Sequence, residues 1–311
     1  MGIKSYFIKP STEAFFKEAD KLPEFSTFDR LHGYVYGRWT YLYISLGTGR
    51  HPLVKKLAPL VALFSSNKKN EQVDHRGTAD EYHGKTIPME TATRLVQVNE
   101  PVNIPDLEQV IPYKKARALI LQNPDHIVAL DCPCRSAREI PCLPLDVCLV
   151  VGEPFASFVR EHHPEKSRWI TQAEAVAIIQ DEDERGHVHH AFFKDAMLGR
   201  FYAICNCCSC CCGAMHAHQN GTPMLASSGY VSQVDRDLCI SCESCSAYCQ
   251  FEALSYEDGI AIVDEARCMG CGVCISKCPV DALSLRREES KGVPLELAAL
   301  MNQAINQVSG L

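Results

Sequence analysis

The spacing of apolar residues changes character along the chain. Near the N-terminus aromatic residues dominate, with Tyr34, Tyr36, Trp39, Tyr41 and Tyr43 close together. Tyr36, Trp39 and Tyr43 share a face at helical spacing, while Tyr41 and Tyr43 also fit strand alternation, so periodicity leaves the state of this arm open. His51–Phe64 (HPLVKKLAPLVALF) is a short basic–apolar segment that reads as packing on a core or a partner, with an interfacial membrane helix as the alternative. Residues 65–86 are polar and predict a linker or long loop.

Further on the pattern is more regular. Ala116, Leu119 and Ile120 predict a helix over 112–122, stopped by Asn123, Pro124 and Asp125. His126–Leu130 and Val147–Val151 are short apolar runs that read as buried strands. Thr171 and Glu174 form a capping box that opens a helix to about Glu184, with Gly186 as its terminator. Strand and helix alternate here, which predicts a small α/β unit with cysteines at its strand ends. The whole chain reads as α+β in four parts: a basic aromatic arm over 1–86, a cysteine-rich α/β domain over 87–230, a compact module over 231–286, and a C-terminal tail or helix over 287–311.

Composition changes the picture in one respect. The chain has 311 residues, an apolar fraction of 46% and a charged fraction of 22%, as an ordinary globular protein has, yet it carries 18 Cys. The first thirty residues scatter charge and show no apolar core of a secretory signal, and the longest apolar run, Leu57–Phe64, is too short to span a bilayer. These features predict a cytoplasmic chain with no transmembrane segment and with reduced thiols, which leaves metal rather than disulfides as the use of the cysteines. Net charge is −7, but residues 1–76 hold 12 Lys and Arg against 7 Asp and Glu. The acidic remainder argues against nucleic acid as a partner. The basic arm predicts either an ordinary solvated face or attachment to a complex or membrane surface.

The chemistry concentrates at 239–278. Cys239, Cys242, Cys245 and Cys249 are each followed 29 residues later by Cys268, Cys271, Cys274 and Cys278, and Pro279 closes the run. Three thiolates two residues apart on one tight turn face three irons of a cube, and the fourth ligand comes from elsewhere. Zinc sites use pairs of cysteines around a long spacer, a pattern this repeat does not follow. Over about 50 residues the repeat resembles the bacterial two-cluster ferredoxins. That resemblance implies two [4Fe–4S] clusters, one held by Cys239, Cys242, Cys245 and Cys278, the other by Cys268, Cys271, Cys274 and Cys249. It also implies a ferredoxin-like dicluster fold. Gln250 departs from the family, which has proline there, and weakens the turn after Cys249. Ser241 and Glu243 stand where the second loop has Gly270 and Gly272, so the two clusters are expected to differ in solvation.

Ten cysteines remain. Cys132, Cys134, Cys142 and Cys148 lie between the two strand candidates, and Cys205, Cys207, Cys208, Cys210, Cys211 and Cys212 form the run CNCCSCCC after Ile204. In an extended segment Cys208, Cys210 and Cys212 face one way, with Cys205, Cys207 and Cys211 the other. Thiolates this crowded repel unless metal binds them. Cys132–Arg135 (CPCR), Gly186–His189 (GHVH) and Cys205–Cys212 together resemble an uncharacterised group of iron–sulfur proteins of anaerobes, which implies further iron–sulfur chemistry without naming a reaction. The ten thiols admit one extra cluster, two extra clusters, or one larger cluster of unusual nuclearity with bridging thiolates. His189 is the preferred imidazole candidate over His187 and His190, with His216 and His218 more remote. Arg135 reads as a charge partner of a reduced cluster.

No Gly-rich dinucleotide fingerprint or P-loop is present, so no nicotinamide or flavin site is expected. The expected function is an iron–sulfur electron-transfer protein. It passes single electrons between its ferredoxin clusters and the upstream centre, within a larger oxidoreductase complex. The acidic segment 231–286, with 9 acids and 4 bases, suits a basic redox protein partner. The alternative is a redox enzyme whose reaction centre is the Cys205–Cys212 site, which requires a pocket open to substrate.

Overall fold

The computed structural model describes residues 8–23, 25–52, 82–104, 107, 110, 111 and 118–301. Its centre is a sheet of eight strands: β1 (Tyr82–Ile87), β2 (Val102–Ile104), β3 (Leu119–Leu130), β4 (Cys148–Glu153), β5 (Ser167–Ile170), β6 (Val188–Lys194), β7 (Arg200–Cys207) and β8 (Leu225–Ala226). Their order is β2-β3-β4-β7-β6-β1-β8, with β5 also on β3. All pairings are antiparallel except β1 with β8. The strand at 147–151 and the capped helix Gln172–Glu184 form as expected, within a residue or two, and 126–130 is the end of a strand that begins seven residues earlier.

Two expectations fail. From Leu119 onward the helix over 112–122 is a strand, in which Leu119 and Leu121 are buried and Ile120 is half-buried, a period of two rather than of 3.6. Asn123-Pro124-Asp125 does not end it, because a register shift between Gln122 and Ile127, with Asn123 at φ 46°, absorbs the proline as a bulge. Residues 82–86 are not linker, since they pair with β6 inside the sheet. The segment 53–81 and residues 112–117 lie outside the described residues.

The sheet buries both faces. Ile127, Ala129, Leu149, Val151, Phe193, Phe201 and Ile204 pack on one side beneath the helices Met89–Val96 and Gln172–Glu184, joined by Leu295 and Leu300 of the tail. Val128, Leu130, Cys148, Val150, Phe192, Ala203 and Cys207 pack on the other, under the N-terminal helices and Phe155–His162. Strand periodicity thus sends the cysteines of β4 and β7 to the face that the N-terminal arm covers.

Among the described residues that arm contributes three helices, Pro10–Asp20, Thr27–Arg38 and Thr40–Gly47. It is docked rather than free: Phe15 meets Phe158 at 5.4 Å, Tyr36 Oη lies 3.0 Å from Tyr202 Oη, and Tyr41 Oη donates to the Asp131 carbonyl at 2.7 Å. The shared face of Tyr36, Trp39 and Tyr43 does not form, because the helix breaks at Trp39, which stays exposed while Tyr36 is buried. Among the described residues no helix is long and apolar enough to cross a membrane.

The arm's contact with the body carries a pH dependence. His162 Nε2 lies 2.8 Å from Thr12 Oγ1, and burial, with Lys9 and Arg38 adding positive charge nearby, pushes its pKa down to about 4. An unfolded histidine titrates near 6.5. The fold therefore favours neutral His162, and this contribution is complete above about pH 6.5 and is lost as pH falls toward 4. His162→Gln is expected to flatten that part of the stability profile, measured by denaturant unfolding between pH 4 and pH 7.

The C-terminal module repeats its structure every 29 residues, as its sequence does. β9 (Tyr230–Val234) pairs with β12 (Leu283–Arg287), and β10 (Leu254–Glu257) with β11 (Ile260–Val263). Short helices Ser244–Ala247 and Val273–Ser276 follow the cysteine loops. Gly270 at φ 63° has no room for a Cβ, which would strike Ser228 and the Tyr230 carbonyl. The first loop takes the same conformation without glycine, with Ser241 and Glu243 both at φ 59°.

Candidate metal centres

The module's eight cysteines gather into two sets, each around a small cavity. Cys239, Cys242, Cys245 and Cys278 line one of about 20 Å³. Cys249, Cys268, Cys271 and Cys274 line another of about 20 Å³. Each set takes three thiols from one half of the repeat and the fourth from the other half. Backbone amides point at the sulfurs: Ala253 N–H donates to Cys249 Sγ at 3.3 Å, and Ala282 N–H, its counterpart, to Cys278 Sγ at 3.2 Å. Such donors favour the thiolate form that iron requires.

The two sets differ in setting. Cys242 is exposed, and Leu238 and Ile240 beside Cys239 are exposed too. Cys268, Met269, Val273 and Phe251 instead belong to the core beneath the large sheet, with Cys249 and Cys271 packed against it. Burial holds the Cys271 thiol pKa well above its usual range.

The ten upstream cysteines also separate into a six and a four, but each draws on both sequence groups. Six thiols form a partial ring, in which Cys205 interacts with Cys148, Cys148 with Cys132, Cys132 with Cys134, Cys134 with Cys212 and Cys212 with Cys207. They surround a cavity of about 70 Å³ whose other walls include Tyr36, Phe192, Met197 and Tyr202. The remaining four, Cys142, Cys208, Cys210 and Cys211, stand together, with Cys208 and Cys211 buried, Cys142 half-buried and Cys210 exposed.

The strict alternation expected for Cys205–Cys212 fails for a physical reason. β7 ends at Cys207, and the chain then turns, with Cys211 and Cys212 amides donating to the Cys208 carbonyl at 3.3 and 3.0 Å. Cys205 and Cys207 keep strand spacing on the cysteine face, while the turn groups Cys208, Cys210 and Cys211 with Cys142 and returns Cys212 to the ring.

Proton sharing dominates the ring. Hydrogen bonding with Cys132 lowers the Cys134 pKa, and bonding with Cys212 lowers that of Cys207, with His190 assisting. Cys132 and Cys212 move up correspondingly. Six buried or half-buried thiols this close cannot all ionise unless cations replace their protons, and such a soft donor set suits iron–sulfur chemistry.

His189 is not on the thiol side. Its Nδ1 lies 2.7 Å from Asn206 Oδ1 and its Nε2 3.7 Å from Asp183 Oδ1, on the opposite face of β6. His190, one residue on, pairs across the ladder with Cys205 and stands beside Cys207. The imidazole candidate therefore moves from His189 to His190, because neighbouring strand residues face opposite ways.

Arg135 has a closer partner than a cluster. Its guanidinium is only 1% exposed and forms an ion pair with Glu182, which is fully buried. It also lies 3.1 Å from His187 Nδ1 and donates to the Asn206 carbonyl at 3.1 Å. Glu182 in turn sits 2.6 Å from His187 Nδ1. The Arg135 charge is thus largely compensated before any anionic centre is considered. Sequence reasoning missed Glu182, Asn206 and Tyr202, which carry no local signal.

Gln250 did carry a signal, as the departure from proline. Its Oε1 accepts from the Ser209 amide at 2.8 Å, and its Nε2 donates to the Gly186 carbonyl at 2.9 Å. One side chain next to Cys249 therefore holds the turn between Cys208 and Cys210. Gly186, at φ 79°, lies against the Tyr248 ring, so the helix terminator is also a contact with the module.

Residues 232–285 match the family model of the 4Fe-4S dicluster domain. No curated protein matches this chain. The domain and the abundance of cysteines together point to iron–sulfur electron transfer.

Proposed function

We propose that this chain relays single electrons between its dicluster domain and an upstream iron–sulfur centre, within a larger oxidoreductase complex. The observation that carries the reading is the core that Cys249, Cys268 and Cys271 of the module share with Cys132, Cys148, Cys207 and Cys212 of the ring, where Gln250 ties the Cys249 segment to the turn that leads to Cys212. When bound, [4Fe–4S] clusters supply one-electron redox chemistry. In this reading Cys239, Cys242, Cys245 and Cys278 hold the outer cluster, and Cys249, Cys268, Cys271 and Cys274 hold the inner one. The six-thiol ring holds the upstream centre, with His190 beside Cys207.

The exposed Leu238 and Ile240 beside Cys239, among the acids Asp235, Asp237 and Glu243, offer an apolar rim with negative charge. Such a rim suits a basic redox partner. The burial of the thiol ring beneath the N-terminal helices favours a relay over a substrate-open reaction centre.

Anaerobic iron and sulfide analysis with electron paramagnetic resonance tests the proposal. More than about eight irons per chain, with reducible signals beyond those of two cubes, is expected. Eight or fewer would remove the upstream centre. In Gln250→Pro, iron content is expected to hold while reduction of the upstream centre by reduced module slows several-fold.

A further inference from the structure

Cys142, Cys208, Cys210 and Cys211 are spaced for one ion rather than for a cluster. Their sulfurs all lie within 4.8 Å of one another. Cys210 Sγ is 3.1 Å from Cys142 Sγ, 3.2 Å from Cys208 Sγ and 3.7 Å from Cys211 Sγ. Four thiolates about 2.3 Å from one tetrahedral ion stand about 3.8 Å apart. A cube puts an iron behind each thiolate and holds the sulfurs roughly 6 Å apart. Among the described residues no other group of His, Cys, Asp or Glu closes to this spacing, the two ferredoxin sets and the six-thiol ring included.

We infer that these four cysteines bind a single thiophilic divalent ion, zinc or iron, in a closed tetrahedral site of its own. The site goes beyond the electron-transfer reading and stands without it. Four thiolates around a dication leave a net double negative charge, and two arginines flank it. Arg138 donates to the Cys210 carbonyl, and Arg50 donates to the carbonyls of Cys211 at 2.8 Å and Cys134 at 3.2 Å. These guanidiniums hold the turn and supply compensating charge. With all four positions taken by protein, no coordination site is left for substrate, which is the pattern of a structural ion.

The geometry also gives the ion a task. Cys142 belongs to the loop between Ser136 and Cys148, where Ile140 and Leu143 are exposed and contribute little packing. The other three ligands lie on the turn after β7. One ion pins the loop to the turn, and the turn also supplies Cys212 to the ring.

Metal and acid-labile sulfide counts on the anaerobically purified chain test this, because cubes contain iron and sulfide in equal number. The native protein is expected to hold about one metal per chain in excess of sulfide. The double variant Cys142→Ser with Cys210→Ser is expected to lose that excess and keep its sulfide. X-ray absorption at the zinc and iron edges says which ion is present, with sulfur neighbours at about 2.3 Å. Zinc in that environment, or an iron population lacking iron neighbours, supports the site, and these native-protein readouts hold even if the double variant fails to fold. Equal metal and sulfide in the native protein overturns it, as does a variant that loses iron and sulfide together. The electron-transfer reading fails separately, if the six-thiol ring holds no iron.

Discussion

Glu182→Ala is expected to destabilise the folded protein by about 3–5 kcal/mol, the cost of leaving a buried charge without its partner. Glu182 is fully buried and Arg135 nearly so, and the substitution strands the guanidinium where water cannot reach it. The remaining partners of Arg135, His187 and the carbonyls of Pro144 and Asn206, offer no negative charge. Arg135 follows Cys134 directly in the chain, so the damage is expected to spread to the thiol ring. Denaturant unfolding of the anaerobic protein measures the loss. A change below about 1 kcal/mol, typical of exposed pairs, would mean that the pair is not buried in solution. Replacing both residues together with apolar ones of similar volume is expected to cost much less, since no orphaned charge remains.

The second large effect concerns the ring. Cys134→Ser combined with Cys207→Ser removes two neighbours of Cys212, and with them the two thiols whose pKa is held down. Such a variant is expected to lose about four irons and a similar number of sulfides per chain, the content of one cube. The paramagnetic resonance signals of the module are expected to persist, because its eight thiols come entirely from 239–278. Loss of module signals as well would show that the ring supports the fold of the module through their shared core. No loss of iron would mean that the ring is a thiol store and not a metal centre.

Gln250 shows how a local irregularity acquires meaning from contacts. In sequence it is a missing proline beside Cys249 and reads as a weakness of the turn. In the structure its amide group satisfies one backbone donor and one backbone acceptor on two different segments. A proline, with no side-chain hydrogen-bonding group, makes neither bond. The sequence reading was incomplete because the partners Ser209 and Gly186 lie 41 and 64 residues away.

His189 and the strand that replaced a predicted helix teach a similar lesson. At 119–122 the apolar spacing fits helix and strand about equally, and the choice is made by β2 and β4, which supply the ladder partners. For the histidines, composition shows that imidazoles lie near the cysteines, but only the register of β6 against β7 says which one faces them.

The sequence by itself determined what is encoded locally. The repeat of 29 residues specifies both the ligand spacing and the paired architecture of the module, because each short loop positions its own three thiols. The capping box of Gln172–Glu184 is likewise local. Tertiary structure alone decided how the upstream thiols are shared. Residues 132–148 and 205–212 meet only because β4 pairs with β7, placing Cys148 opposite Cys205. Once they meet, the end of β7 sorts the run: Cys205 and Cys207 in the strand enter the ring, Cys208, Cys210 and Cys211 join Cys142, and Cys212 beyond the turn returns to the ring. Two sequence groups of four and six thus become two spatial sets of four and six with different members. Strand pairing across more than fifty residues is a long-range choice that no pattern within either segment contains.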